Sequence, residues 1–289
     1  MEMTANLTQL LNVERLSLRV IRILAQNPSP ATLLGTNTYI IGSEKERLLI
    51  DAGGRSEYER CKYFDLLKGV LKEENAIISS VFITHHHDDH LGGVSFLKQF
   101  PISYLSPNAS FSKIHCSDVP GSSDCPSAAH NNDLLAVDKN TTLRVLLTPG
   151  HAIDHACLLL IEENSVFSGD LILGETSTTI EDLHSYMNSL KTIQKVQPDK
   201  VYPGHGPVVR HPEQYIASYI AHREHREREI FDAVKNSDNG VSIEEIYTKV
   251  YFDTPLNLKK AACANISTHL EKLIKDRCIK IINNKFYET

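Results

Sequence analysis

The 289-residue sequence predicts an α/β body followed by a small winged-helix-like domain. Up to about residue 210, short β-branched runs alternate with longer runs whose apolar residues recur at helical spacing, which is typical of α/β proteins. After Pro212 the patterns are helical and dense in charge, and strand-like runs return only at the end of the chain. We therefore expect a body at 1–211 and a second domain at 212–289.

The elements of the body follow from short stretches of sequence. VERLSLRVIRILA is interpreted as a first strand, and NTYIIG, RLLIDAGG and AIISSVFIT are β-branched runs that predict further strands. Between the last two, EYERCKYFDLLKGVLKEEN has the period of an amphipathic helix. VSFLKQF predicts a short helix, and the polar stretch 108–132 predicts a loop. LRVLLT, ACLLLIEE, SVFSG and KVYPG predict strands, with the helix DLHSYMNSLKTIQKV between the last two.

The second domain is predicted from three helical patterns and a hairpin. The helical patterns are EQYIASYIAHREHREREIFDAVKN, VSIEEIYTKVYF and LNLKKAACANISTHLEKLIKDR. CIKIINNKFYET then predicts two short strands around Asn283 and Asn284, which suit a tight hairpin turn. Three helices followed by a hairpin is the outline of a winged helix-turn-helix.

Composition excludes several classes of protein. The net charge is −6 and the excess acid lies before residue 211, so no overall basic field favours nucleic acid or an acidic membrane surface. Six cysteines without regular spacing indicate reduced thiols rather than a disulfide framework. No apolar run approaches the roughly 18 residues of a membrane span, and the N-terminus has no signal pattern. We expect an intracellular protein without a membrane partner.

A cluster of histidines and aspartates follows one predicted strand directly. In VFITHHHDDHLGGV, His85 and His87 are two positions apart, and Asp89 and His90 follow at once. Titratable groups on consecutive positions do not help a core, but they suit a cation. Imidazole nitrogen and carboxylate oxygen are ligands for zinc, iron or manganese, and the absence of thiolate argues against a purely structural zinc.

Three other predicted strands end in the same way. Each is followed by a Gly or Pro turn and then a candidate ligand, which is His151 after Pro149-Gly150, Asp170 after Gly169, and His205 after Pro203-Gly204. Taken singly, such a histidine is usually a turn residue and such an aspartate a helix cap. Because all of them follow strands, we predict that they meet at one edge of a sheet.

These residues resemble the motifs of the metallo-β-lactamase superfamily: HHHDDH at 85–90, PGH at 149–151, SGD at 168–170 and GHG at 204–206. The resemblance implies a four-layered αββα sandwich with two divalent metal ions, for which zinc is expected. It implies that His85, His87 and His151 bind one ion. Asp89, His90 and His205 would bind the other, and Asp170 would bridge both.

Two neighbouring cations acidify a shared water and stabilise developing negative charge, so the expected reaction is hydrolysis by a metal-bound hydroxide. We assign catalytic roles to Asp89, in addition to metal binding, and to His155. For His155 two roles stay open, an orienting hydrogen-bond partner of the site or the acid that protonates a leaving group. The remaining histidines of helical or loop segments are expected at the surface: His184, His211, His222, His225 and His269.

The substrate is predicted from further resemblance. Asp170 stands where the better-known β-lactamases have Cys, which argues against β-lactams. Glyoxalase II has the same ligand types, but LILGETSTTIEDL contains no basic residue to bind glutathione. NPSPATLLGTNTYIIG, GDLILGETSTTIEDLHSYMNSL and YPGHGPVV resemble the β-lactamase-like protein 2 family. That resemblance implies an endoribonuclease for single-stranded RNA in the mitochondrial matrix; otherwise we expect a cytoplasmic protein. A thioester or small-ester hydrolase and a non-catalytic RNA-binding or scaffold protein are the alternatives.

The role of the tail is left open by its charge pattern. Basic residues outnumber acids in the last 31 residues, and they are Lys259, Lys260, Lys272, Lys275, Arg277, Lys280 and Lys285. They could follow an RNA backbone or form an ordinary solvated helix face. Winged helices also dimerise, so a homodimer is a further alternative.

Overall fold

The computed structural model describes residues 7–54, 56–116, 123–237 and 239–289. Within these ranges, a sheet of seven strands runs in chain order. Its strands are β1 (Val13–Arg15), β2 (Val20–Leu24), β3 (Asn37–Ile41), β4 (Glu46–Ile50), β5 (Ile77–Phe82), β6 (Leu105–Lys113) and β7 (Ser127–Ala128). Pairing is antiparallel from β1 to β4 and parallel from β4 to β7.

A second sheet of five described strands has the order β12-β11-β10-β9-β8. Its strands are β8 (Leu134–Asp138), β9 (Thr141–Leu147), β10 (Ala156–Leu160), β11 (Ser165–Gly169) and β12 (Lys200–Pro203). β11 and β12 are parallel, and both neighbours of β10 are antiparallel to it. The strands β9, β11 and β12 therefore point in the same direction, so their C-terminal ends lie at one edge.

Helices cover the outer faces of both sheets and form most of the tail. The described helices are α1 (Glu57–Glu73), α2 (Asp88–Leu91), α3 (Val94–Leu97), α4 (Leu183–Val196), α5 (Pro212–Lys235), α6 (Ile243–Val250) and α7 (Lys259–Lys275). Two single 3₁₀ turns occupy Ile161–Glu163 and Leu256–Leu258, and the hairpin strands are β13 (Ile279–Ile282) and β14 (Lys285–Glu288). None of the described helices combines the length and apolar character that crossing a membrane requires.

The body is a sandwich of four layers, because alternate strand residues enter different cores. Ile21 and Ile23 of β2 pack beneath α1, whereas Val20 faces the second sheet. In the second sheet, Leu158 of β10 packs between the sheets and Leu159 packs against α4. Strands buried on both faces read as continuous apolar runs, which explains VIRIL and ACLLL. The predicted αββα fold is confirmed.

The long helix α5 belongs to two cores. Ile216 and Ile220 near its start pack on the second sheet, whereas Ile230 and Val234 near its end pack with α6, α7 and the hairpin. The three helices and the hairpin lie where the sequence predicts them. The winged-helix assignment and the boundary between residues 211 and 212 stay predictions, since α5 continues from one core into the other.

The structure differs from the sequence-based expectation in two places. VERLSLRVIRILA is not one strand, because residues 16–19 turn and β1 pairs back on β2 as a hairpin. The polar stretch 108–132 is not a loop throughout, since β6 runs to Lys113 and β7 occupies Ser127–Ala128; residues 117–122 lie outside the described ranges. β6 has few apolar residues, and its pairing with β5 defines it as a strand.

Candidate metal centre

Five strand ends deliver the side chains of the candidate centre. β5 leads into the turn that carries His85 and His87, and α2 follows with Asp89 and His90. β9, β11 and β12 end just before the other three predicted ligands, His151, Asp170 and His205. β4, which is parallel to β5, ends just before Asp51, a residue that the sequence analysis did not select.

The first donor set consists of three imidazole nitrogens. His85 Nε2 lies 2.9 Å from His87 Nδ1 and 3.2 Å from His151 Nε2, and the last two atoms are 3.0 Å apart. Nitrogens that share a tetrahedral zinc at ordinary bond lengths lie about 3.3 Å apart. The three rings therefore have the spacing of a shared ion.

The second donor set combines a carboxylate with two imidazoles. Asp89 Oδ2 lies 3.2 Å from both His90 Nε2 and His205 Nε2. Asp170 stands between the two sets, since its Oδ2 is 3.3 Å from His205 Nε2 and 3.7 Å from His151 Nε2. Its Oδ1 is 3.4 Å from His90 Nε2. All seven predicted ligands thus meet in one place, with Asp170 in the predicted bridging position.

Two atoms of the candidate centre lack the hydrogen-bond partners that buried polar atoms usually have. His90 Nε2 and Asp170 Oδ1 are fully buried and have no hydrogen-bond partner within the described part of the chain. Buried polar atoms without partners are rare in proteins, and their presence indicates a ligand that satisfies them. Nitrogen and carboxylate donors suit zinc and similar divalent ions. The residues therefore fit the binuclear site that the sequence predicts.

The electrostatics of the two halves differ. Burial and the neighbouring His151 and His86 lower the pKa of His87 to about 4, so its ring is a neutral donor at pH 7. In the other half, burial opposes charge on His205, but the Asp170 carboxylate raises its pKa to about 9. Burial likewise opposes charge on His90, whose pKa the surrounding carboxylates raise well above its usual value. The carboxylates of this half therefore favour positive charge nearby. Protons on the imidazoles of His90 and His205 supply it, or a metal ion that replaces those protons does so.

Asp51 positions both halves. Its side chain is buried, and its Oδ2 accepts a hydrogen bond from His90 Nδ1 at 2.7 Å. Its two oxygens also accept from Thr84 N and Thr84 Oγ1, at 2.8 and 3.0 Å. Thr84 Oγ1 in turn contacts His85 Nδ1 at 3.0 Å. Such partners orient metal-binding imidazoles and select the tautomer with a free lone pair. The signal in the sequence was the aspartate in RLLIDAGG, directly after a buried strand.

The other ligands are held from neighbouring loops. Asn27 bonds to Thr36, and Thr36 Oγ1 donates to Asp89 Oδ2 at 3.2 Å. The side-chain amide of Asn37 donates to the carbonyls of Pro203 and Gly206, both at 2.9 Å, which fixes the loop around His205. His151 Nδ1 lies 2.8 Å from both the Thr178 hydroxyl and the Thr179 carbonyl. The sequence analysis quoted the stretches containing these residues without giving them roles.

Of the two roles left open for His155, its contacts in the structure support the orienting one. This side chain is fully buried behind Asp170, and its Nε2 accepts a hydrogen bond from the Asp170 backbone N–H at 3.1 Å. Its Nδ1 contacts the Thr148 hydroxyl at 2.9 Å. Burial and the nearby His151 lower the pKa of His155 to about 3. With both nitrogens hydrogen-bonded and the ring fully buried, His155 is placed to orient Asp170 rather than to reach a leaving group.

Other histidines divide between surface and interior. His86 is partly exposed, and its Nδ1 lies 2.8 Å from Asp154, which is buried in an ion pair with Lys113 at 2.7 Å. His269 was predicted at the surface, but it is 1% exposed. Its Nδ1 lies 2.8 Å from the Asn265 carbonyl, and burial lowers its pKa to about 4. The prediction failed because α7 packs against both α5 and α6, which helical periodicity alone does not show.

A four-layered sandwich with histidine and aspartate donors at the ends of its strands defines a class of metal-dependent hydrolases, and comparison with known proteins agrees. The sequence pattern of the metallo-beta-lactamase superfamily matches residues 31–103. The chain is 38% identical to the Beta-lactamase-like protein 2 homolog of Caenorhabditis elegans, with 98% of this chain and 92% of the relative covered. It is 40% identical over 225 residues to an Atrochrysone carboxyl ACP thioesterase of Aspergillus fumigatus, covering 78% of this chain and 67% of that protein.

Solved structures show the same fold at low sequence identity. A Beta-lactamase domain protein from Burkholderia ambifaria superimposes with a TM-score of 0.76 at 18% identity, covering 96% of this chain and 93% of that one. A metallo-beta-lactamase family protein from Thermus thermophilus has a TM-score of 0.69 at 19% identity, with 95% and 100% covered. The chain belongs to the metallo-beta-lactamase superfamily. Members of this superfamily are generally metal-dependent hydrolases, and this chain is a hydrolase of that class.

Proposed function

We propose that this protein uses two divalent ions, with zinc expected, to hydrolyse phosphodiester bonds of single-stranded RNA. The observation that carries the metal-dependent chemistry is the convergence of seven ligands into two donor sets that share Asp170. His85, His87 and His151 would hold one ion, and Asp89, His90 and His205 the other. Two such ions supply a water of lowered pKa and stabilise negative charge at the reacting centre.

The chain's own residues contribute position and proton transfer. Asp89 has the most exposed side chain of the second donor set, at 27%. Its Oδ2 faces His90, His205 and Thr36, which leaves Oδ1 to accept a hydrogen bond from an attacking water. We therefore keep Asp89 in the catalytic role predicted from the sequence. We assign His155 the orienting role, because its ring is fully buried and both of its nitrogens are hydrogen-bonded.

RNA as the substrate is supported by resemblance rather than by the metal centre. The likeness to the β-lactamase-like protein 2 family covers nearly the whole chain, including the tail. Binding of RNA by the basic residues of the tail receives less support. Lys259 pairs with Glu244, Lys272 with Glu227, and Lys275 with Asp182, at 2.7, 2.7 and 2.8 Å. Lysines already neutralised by carboxylates attract a phosphate backbone weakly, so these three lend little support to RNA binding by the tail.

A thioesterase is the second candidate, because one relative of 40% identity bears that name. The two candidates separate in one experiment, in which the zinc-loaded protein is assayed side by side with single-stranded RNA and with acyl and lactoylglutathione thioesters. We expect cleavage of RNA that chelation abolishes and that Asp170→Ala lacks. Rapid thioester turnover without RNA cleavage would reverse the order of the candidates. Binding of RNA without any turnover in the metal-loaded protein would favour the non-catalytic alternative.

Location and assembly are further proposals. The mitochondrial matrix follows from the resemblance, and fractionation of cells that express the tagged full chain tests it. A homodimer follows from the common use of winged helices as dimerisation modules, and light scattering of the purified protein tests it.

A further inference from the structure

An arginine beside the candidate metal centre has no counter-ion in the described part of the chain. Arg223 of α5 is 7% exposed, and within the described ranges its guanidinium makes no hydrogen bond or ion pair. The next arginine along the helix is ordinary by comparison, because Arg226 pairs with Glu229 at 2.9 Å and lies over the Tyr251 ring. Arginines that are mostly buried are usually paired with an anion, so this one requires an explanation.

Two side chains that interact electrostatically with Arg223, Tyr186 and His269, are uncharged at neutral pH. Burial raises the pKa of Tyr186 well above its usual value although Arg223 opposes the rise, so the phenol stays neutral. Burial lowers the pKa of His269 to about 4, and Arg223 contributes to the lowering. These two groups therefore offer Arg223 hydrogen-bonding partners but no compensating negative charge.

Arg223 lines two clefts beside the candidate metal centre. One, of about 420 Å³, lies between the loop 177–180 and the helices α5 and α7. The other, of about 470 Å³, is bounded by Thr176, Ser177, Tyr219 and His222. Neither lining contains a carboxylate among the described residues, although the body carries an excess of acid. Both clefts therefore suit an anion.

The loop between these clefts and the metal centre connects them physically. Thr178 lines the first cleft, and its hydroxyl lies 2.8 Å from Nδ1 of the predicted metal ligand His151. Asn265, across the cleft, accepts from the Tyr251 hydroxyl through its side-chain oxygen, which leaves its amide N–H groups as further donors. A substrate whose reacting group sits at the metals would place its flanking groups along this loop.

We propose that Arg223 binds a phosphate of the substrate strand, flanking the phosphodiester that lies at the metal centre. Guanidinium groups bind phosphate oxygens through two parallel N–H donors, and Arg223 lines both clefts where such an anion would lie. The proposal rests on the proposed RNA-cleaving function, and it provides the cation that the paired lysines of the tail do not.

The first test is binding by the full-length, zinc-loaded protein. Arg223→Met removes the charge and keeps the volume, and Arg226→Met is the matched control because it removes a charge that already has a partner. Affinity for a short, cleavage-resistant phosphorothioate RNA is measured by fluorescence anisotropy over a range of salt. We expect Arg223→Met to weaken binding about tenfold or more and to reduce the salt slope by about 0.7, the value for one phosphate on a single strand. Arg226→Met should change either value little.

The second test needs no substrate and checks folding at the same time. Without added anion, Arg223→Met should melt close to the wild-type temperature, because the described structure gives the Arg223 guanidinium no ion pair or hydrogen bond to lose. Inorganic phosphate should raise the melting temperature of the wild type and of Arg226→Met more than that of Arg223→Met. Phosphate bound at the metals acts equally in all three proteins.

The outcomes separate the two proposals. If the wild type neither binds nor cleaves RNA, the proposed function fails, while the phosphate effect on melting still tests the anion site. If Arg223→Met matches Arg226→Met in affinity, salt slope and phosphate response, Arg223 is not an anion site. Hydrolysis of an acyl-phosphopantetheine and of the unphosphorylated acyl-pantetheine is compared in the same proteins. If the only defect of Arg223→Met is that it loses the preference for the phosphorylated thioester, the site serves a thioester substrate and the assignment to RNA is wrong.

Discussion

Replacing Asp51 by Asn tests whether this carboxylate controls the second metal position. The volume hardly changes, and asparagine tolerates the left-handed backbone at this residue, where φ is 60°. Thr84 N is a fixed donor to Oδ1, so the new side-chain nitrogen must occupy the place of Oδ2, 2.7 Å from His90 Nδ1. There the amide nitrogen either faces the N–H group at His90 Nδ1 or moves the proton of His90 onto Nε2. Nε2 is the atom that should bind metal.

The size of the effect follows from the lost hydrogen bond. A bond between imidazole and carboxylate is worth about 1.5–3 kcal/mol, which corresponds to roughly 10- to 100-fold in metal affinity. His85 contacts Asp51 only through Thr84, so affinity at the first position should fall much less.

Zinc affinities at the two positions are measured by competition with a chromophoric chelator, with total zinc determined by elemental analysis. Asp65→Asn is the matched control, because Asp65 is an exposed carboxylate of α1 that pairs only with Lys68 in the described structure. Two zinc dissociation constants within twofold of the wild type would refute the role of Asp51. Equal weakening at both positions would mean that Thr84 transmits more than its contacts suggest.

Three further predictions concern the centre and the tail. Asp170→Ala should lower zinc content below two ions per chain and abolish hydrolysis, and full occupancy with full activity would contradict the binuclear assignment. Gly204→Ala should also lower zinc affinity, because a Cβ at Gly204 would lie 2.3 Å from Asp170 Oδ1. The Asp170 carboxylate would have to move, although a metal-binding group must be held within about 0.5 Å of its position. Gly69→Ala is the control and should not weaken zinc binding, because its Cβ meets nothing within 4 Å. The pKa of His269 is lowered to about 4, so between about pH 6.5 and 4 the unfolded chain binds a proton there that the folded chain does not. The free energy of unfolding should therefore fall by up to about 3 kcal/mol across this range. Denaturant titrations of His269→Leu should show less of this loss, and an unchanged pH dependence would mean that other groups cause it.

The strands, the helices and the seven candidate ligands could be predicted because their signals are local. Strands such as ACLLL are covered on both faces and read as apolar runs, and each candidate ligand follows such a run within a few residues. The polar strand β6 was missed because its pairing with β5, rather than its composition, defines it. β1 and β2 were merged because the alternation continues through the turn at residues 16–19.

The roles of individual polar side chains were decided only by tertiary contacts. Asp51 and His90 are 39 positions apart, yet they share a 2.7 Å hydrogen bond because β4 and β5 are parallel neighbours. His155 follows a ligand motif like a catalytic residue, but the packing of β10 against β11 places it behind Asp170. Arg223 and His269 lie on charged helices and read as surface residues, and the packing of α5 against α7 buries both. Sequence periodicity determines which face of an element is apolar, whereas burial of a particular polar group depends on which distant element covers it.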